Sequence, residues 1–243
     1  IDLSLDCPSG QTVRTFSYRP PGDTLDWIFS DDTGFAGTSG WRTAEHQTPL
    51  WRQVLESSAH WEMLGDAAYV RIEQIRDLPD RTLADLVSEA VDAVSDNPDG
   101  ALIIDLRRTL GGDGTLNPGV ITAINSTPVL AQDNRLIALT SNATHSAAIM
   151  LVSRLEQETG AVLVGQPTAD RPNHHGETNI LVLPNTQVPI LHASEYYQTS
   201  TPDDERPYHT PDIRVEYRFA DYAAGRDPVL ETVLSIIEEG SQR

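Results

Sequence analysis

The sequence predicts an α/β fold: a parallel-rich sheet with helices on its faces, preceded by a small irregular β-rich segment. Three observations carry that expectation. Strand-like and helix-like periods alternate along most of the chain, as they do where parallel strands are joined by crossover helices. The stretch "ALIIDL" (101–106) is short and almost wholly apolar, the composition of a strand buried on both faces. Three of the expected strands also end in loops rich in Gly, Ser and Thr, and the carboxyl ends of parallel strands are where active sites gather.

Residues 1–55 read as the irregular segment, an accessory or remnant module of short strands and loops, as in "YRPPGDTLDWIFSDDTGFAGTSG". Residues 56–243 read as the core domain. There "AAYVRIE" (67–73) is β-rich, and 81–96 places Leu83, Leu86, Val87, Ala90, Val91 and Val94 at helical spacing. After 101–106 come a helix in "NPGVITAINS", a strand in "RLIALTS" and a helix in "HSAAIMLVSRLEQETG" that stops at Gly160. "AVLVG" (161–165) is the next strand. "TNILVLPNTQVPILHA" reads as two strands around Pro184–Asn185, and "DPVLETVLSIIEE" (227–239) as a closing helix.

Bulk composition narrows the function classes. The 243 residues carry 36 acidic and 17 basic side chains, a net charge of −19, which repels nucleic-acid phosphates and anionic membranes. No apolar run is long enough to span a bilayer. The single cysteine, Cys7, excludes an intrachain disulfide and a cysteine metal cage. All 17 basic residues are arginine; the chain has no lysine.

Chemistry concentrates in the three strand-ending loops, "DLRRTLGGDG" (105–114), "SNATHSAA" (141–148) and "VGQPTADRPNHHGE" (164–177). Ser146 at a helix start sits where the helix dipole favours a developing anion. The N–H of Ala147 there is free to act as an oxyanion donor, and the Gly111–Gly112 pair can bring a second N–H close. The competing reading is that Thr144 or Ser146 merely caps the helix. The sequons at Asn125 and Asn142 read as chance matches, and the adjacent histidines lack a metal-ligand spacing, so neither a metal nor a cofactor is expected.

The set "LIIDLR" with a Gly-Gly pair, "LTSNATHSAA", "VLVGQPT" and "PD" (211–212) resembles the C-terminal processing, or tail-specific, serine protease family over residues 60–238. That resemblance implies a ClpP/crotonase-like stack of β-β-α units and serine peptidase action on a peptide or protein C-terminus. It also implies an extracytoplasmic setting. Carried over, Ser146 matches the nucleophile, and the N–H groups of Ala147 and of Gly111 or Gly112 match the oxyanion hole. Tyr69 aligns with a tyrosine of divergent members, as core packing or pocket lining. The family's PDZ domain does not fit into some fifty irregular residues.

The family's general base is a lysine, and Arg171 stands in its place. A guanidinium stays protonated and cannot accept the serine proton, so a Ser/Lys dyad within this chain is impossible. Histidine can substitute, as in tricorn-like members. His175 is the first choice, with His174 beside it and Glu177 or Asp170 to orient the ring. His145 adjoins Ser146 but points elsewhere on the helix; His60 lies upstream, and His192 and His209 are not placed by sequence. Two classes therefore stay open: a serine hydrolase, with acyl transfer as a variant, and a catalytically silent ligand- or peptide-binding module. Arg171 and Tyr69 are the candidate substrate contacts in either case.

Overall fold

The computed structural model describes residues 2–7, 10–15 and 48–241. By internal contacts the chain divides into two units, Ile1–Glu45 and His46–Arg243. In the first, β1 (Asp2–Cys7) and β2 (Gly10–Thr15) form an antiparallel hairpin closed at the Cys7–Gly10 pair. Most of the irregular segment expected over 1–55 lies outside the described residues.

The second unit is built on a six-stranded sheet. Its elements are β3 (Ala59–Leu64), β4 (Ala67–Ile72), β5 (Ala101–Asp105), β6 (Leu136–Thr140), β7 (Val162–Gly165) and β10 (Ile213–Arg214). They run in the order β10-β7-β6-β5-β4-β3, with β4 to β10 parallel and only β3 antiparallel. Gly65, at φ +63°, makes the two-residue turn that joins β3 to β4.

Helices α1 (Leu83–Ser95), α2 (Asn117–Ile124) and α3 (Ala147–Glu158) are the crossovers. The helix α1 opens with a capping box between Thr82 and Asp85, and its six apolar residues at helical spacing are all buried. These three helices cover one face of the sheet, packing on Leu102, Ile104, Leu136, Ala138 and Leu163. The opposite face, with Ala101, Ile103, Ile137, Leu139 and Val164, is covered by α5 (Pro228–Ser241). Alternate residues of β5 thus meet different helices, which is why its sequence is apolar throughout. A short α4 (Phe219–Ala224) precedes α5. Strands β8 (His174–Val182) and β9 (Pro189–Tyr197) form a separate two-stranded ribbon between β7 and β10. Among the described residues no helix is long and apolar enough to cross a membrane.

The exit of β5 carries a buried ionic group. Asp105 accepts two contacts from Arg107, at 2.6 Å from Nη2 and 3.0 Å from Nε. Arg107 continues to Asp227, at 2.7 and 2.9 Å. The Tyr69 hydroxyl donates to Asp105 Oδ2 at 2.6 Å, and Trp51 lies over the guanidinium at 5.1 Å. Asp227 also accepts the Leu230 N–H at the start of α5, so the group ties that helix to the sheet. Burial works against ionisation of Asp105, but Arg107 beside it holds its carboxyl below the usual range. Burial, reinforced by Asp105, pushes the Tyr69 phenol far up, so it stays a donor.

Neutralising Asp105 leaves the buried guanidinium with Asp227 as its one remaining carboxylate. Asp105→Asn should destabilise the chain by about 3 kcal/mol at pH 7, read from urea unfolding midpoints. The wild-type contribution is complete above an unfolded-state pKa of about 3.9 and is lost as the pH falls through the lower folded-state value. The deficit of the variant should therefore shrink below about pH 4.

Candidate active site

Three strand exits meet around Ser146. After β6, Ser141 Oγ donates to the Arg107 carbonyl at 2.6 Å, Thr144 Oγ1 donates to that of Leu106 at 2.8 Å, and the His145 N–H reaches that of Thr109 at 3.0 Å. The turn is thereby hung on the backbone that leaves β5. Ser146 follows at φ 55°, ψ −124°, and α3 begins at Ala147. A serine in this sparsely populated region carries roughly 1–3 kcal/mol of strain, and such strain collects at functional sites.

The capping alternative is overturned. Ser146 occupies the N-cap position but makes no side-chain cap bond. Thr144 spends its hydroxyl on Leu106 and on the Ser141 N–H. Ser146 Oγ is left without a hydrogen bond among the described residues. Ala147, as the first helical residue, has no intrahelical acceptor for its N–H.

The two glycines serve different neighbours. Gly111, at φ +129°, has its backbone against the serine: a Cβ there would stand 2.7 Å from Ser146 Cβ and 3.0 Å from its Oγ. Gly112, at φ +134°, would put a Cβ 2.1 Å from the Ile75 carbonyl oxygen. Ile75 fixes the pair in place, donating to Gly111 O at 2.8 Å and accepting from Asp113 N at 2.7 Å.

The loop after β7 is joined to the serine turn by the Ala169 N–H, which donates to the Thr144 carbonyl at 3.0 Å. His174 and His175 open β8 and point to opposite faces. His174 is buried, with Nδ1 2.9 Å from the Pro172 carbonyl. A carbonyl only accepts, so in the neutral ring Nδ1 carries the proton and Nε2 the lone pair; Nε2 is buried without a partner among the described residues. His175 is exposed, its ring 5.0 Å from that of Tyr196. Glu177 stands at φ 53° and accepts the Tyr197 hydroxyl at 2.5 Å, which pushes the phenol up to about 12. Arg171 is exposed on the same loop. Tyr69 is turned to Asp105 and walls a cavity of about 540 Å³ with Leu50, His60 and Arg71. No histidine nitrogen is hydrogen-bonded to Ser146 Oγ among the described residues, and His46 lies outside them.

The structure does hold a serine–histidine–carboxylate chain, at a different serine. Ser153, two turns along α3, has Oγ 3.1 Å from His209 Nε2, and His209 Nδ1 lies 3.0 Å from Glu156 Oε2, off the best hydrogen-bonding angle. Burial disfavours the Glu156 carboxylate, yet His209 and Arg206 beside it hold its pKa below the usual range. Ser153 is 1% and His209 0% exposed, so no substrate reaches them. Thr199 Oγ1 lies 2.8 Å from Ser153 Oγ and donates to the Pro172 carbonyl at 2.6 Å, completing a buried pin between α3 and the loops around the ribbon. Sequence reasoning left His209 unplaced because its partner is 56 residues away.

No family model matches the sequence, and no curated protein does. By structure the chain is similar to mature CPAF, at a TM-score of 0.53 and 14% identity over 99% of this chain and 66% of that one. It is also similar to a candidate peptidase of Parabacteroides merdae, at 0.52 and 14% over 76% and 65%. A third structure is the photosystem II D1 C-terminal processing protease, at 0.46 and 15% over 67% and 49%. The chain spans less than two thirds of the length of each. The first two likenesses show the fold alone, a mixed α/β fold with a parallel-rich sheet.

His209→Ala should cost on the order of 1–3 kcal/mol of stability, because it leaves the Ser153 hydroxyl and the Glu156 carboxylate short of a partner. Chemical denaturation measures the loss.

Proposed function

We propose that the chain is a serine hydrolase acting on peptides, with Ser146 as its nucleophile. The observation that carries this reading is the backbone of Ser146: strained, uncapped, and set at the mouth of α3 against Gly111. An ordinary helix-start serine has no use for that conformation, whereas a nucleophile on a sharp strand-to-helix turn is lifted clear of its neighbours. The peptidase-type fold supports the same class of reaction.

In the proposed reaction Ser146 Oγ attacks the scissile carbonyl while a histidine takes its proton. The N–H of Ala147 and that of Gly111 or Gly112 then donate to the tetrahedral oxyanion. The histidine returns the proton to the leaving amine, and water releases the acyl group by the same route. The base comes from the loop after β7. His174 already holds its proton on Nδ1 and offers Nε2 as an acceptor; His175 is the solvent-exposed choice on the other face. Glu177 is the carboxylate on the same strand. Either ring meets Ser146 only when substrate draws the loop in, as catalytic hydrogen bonds often tighten on binding. Polypeptide C-termini are the substrate that the family resemblance suggests.

A second reading rests on the same page. Ser146 Oγ has no base beside it among the described residues, as in a binding module that keeps the fold without the reaction. Intact mass after fluorophosphonate treatment between pH 5 and 9 decides between them. The hydrolase gives one adduct, absent in Ser146→Ala, with labelling that rises through a pKa of about 6.5. Gly111→Ala, which forces a methyl group onto Ser146, should slow labelling roughly 100-fold or more. No adduct at any pH would leave the binding module standing.

A further inference from the structure

The ribbon of β8 and β9 has features that neither reading of the serine uses. It is a two-stranded sheet by itself, with both outer edges unpaired among the described residues. Antiparallel partners share a face, so Ile180, Leu191, Val182 and Pro189 line one side. Leu181, Ile190, Leu183 and Val188 line the other. Ile180, Leu181, Val182, Val188, Ile190 and Leu191 are each 41 to 55% exposed. An isolated hairpin is marginally stable in water, and three or more strands or a packing partner are needed to hold one.

Charge sets the ribbon apart from the rest of the surface. Residues 178–194 contain no Asp, Glu or Arg, in a chain where 22% of residues are charged. Two other uncharged runs of similar length, 114–132 and 136–153, carry core elements: α2 in the first, β6 and most of α3 in the second. This one is exposed along nearly its whole length. Interfaces are depleted of charge at their centres and apolar there, which is the composition of this ribbon.

We infer that the β8–β9 ribbon is a self-association surface, on which two copies of this chain meet about a two-fold axis. Each copy carries a net charge of −19, so two of them repel wherever their charged surfaces approach. The ribbon is where that repulsion is least and apolar gain greatest. A surface that meets its own copy needs to complement only itself, and an uncharged antiparallel ribbon does so. Nine residues per strand give a length of about 30 Å and a width of about 10 Å, hence roughly 300 Å² on the one face that a two-fold contact buries. That is under half of the roughly 800 Å² per partner of a stable interface, so the association is a weak one that reverses on dilution. A lipid surface is the poorer occupant, because anionic headgroups repel a chain of this charge.

Sedimentation velocity of the full chain from 1 to 100 µM tests the inference. The expected result is a species of twice the 26.7 kDa monomer mass that dissociates on dilution. The double variant Leu181→Asp/Ile190→Asp should raise the dissociation constant at least tenfold while its far-UV circular dichroism and unfolding midpoint stay unchanged. Phe219→Asp, at an apolar side chain exposed elsewhere, should leave the dimer intact. If the double variant fails to fold, Leu181→Ser and Ile190→Thr are measured in its place. A wild type that stays monomeric at 100 µM would overturn the inference. So would ribbon variants that still dimerise, or a monomer that binds neutral phosphatidylcholine vesicles through the ribbon.

Discussion

The rest of the second unit depends on one buried guanidinium. Arg107 lies at the exit of β5 between Asp105 and Asp227, and its backbone is fixed by the carboxylate two residues before it, which accepts its N–H at 3.0 Å. From that short stretch three carbonyls, of Leu106, Arg107 and Thr109, reach across to hold the turn that presents Ser146. The same guanidinium binds Asp227, which begins α5 and so closes the second face of the sheet. An apolar triad of equal volume could match such a group in stability, but it would not fix the backbone direction that these hydrogen bonds impose. The ionic group makes the serine turn a consequence of how the core is joined.

The local parts of this arrangement are legible in the sequence. The six apolar positions of α1, the doubly buried β5 and the helix opening after Ser146 all follow from periodicity and composition. The β3 edge strand is legible too, since "AHWEM" alternates apolar and polar side chains as a half-buried strand does. The pairing of Arg107 with Asp227 leaves no local trace across its separation of 120 residues, nor does that of Ser153 with His209. The positive φ at Ser146 is equally hidden, because glycine is the only residue whose presence advertises such a conformation. The two glycines do advertise it, but only coordinates distinguish Gly111, which meets Ser146, from Gly112, which meets Ile75.

Ser146 and Ser153 share one helix run and show what separates a site from a pin. Ser153 has the histidine, buried with it, and a half-buried carboxylate off the best hydrogen-bonding angle, and it is closed to any substrate. Ser146 has the strained backbone and the free helix N-terminus, and it is half-buried. A search for serine, histidine and carboxylate in sequence or space would choose the former. Backbone conformation is the ground on which the proposed function chooses the latter.

The bond between Arg107 and Asp227 also carries a clock. A ribosome adding roughly 5–20 residues per second needs on the order of ten seconds to make the residues between these two partners. Until α5 emerges, the guanidinium has only Asp105, and one face of the sheet stands uncovered. The turn that lifts Ser146 out of the ordinary backbone therefore acquires its support late. A nascent chain of this protein holds its most reactive candidate side chain in an unfinished setting until the last helix docks.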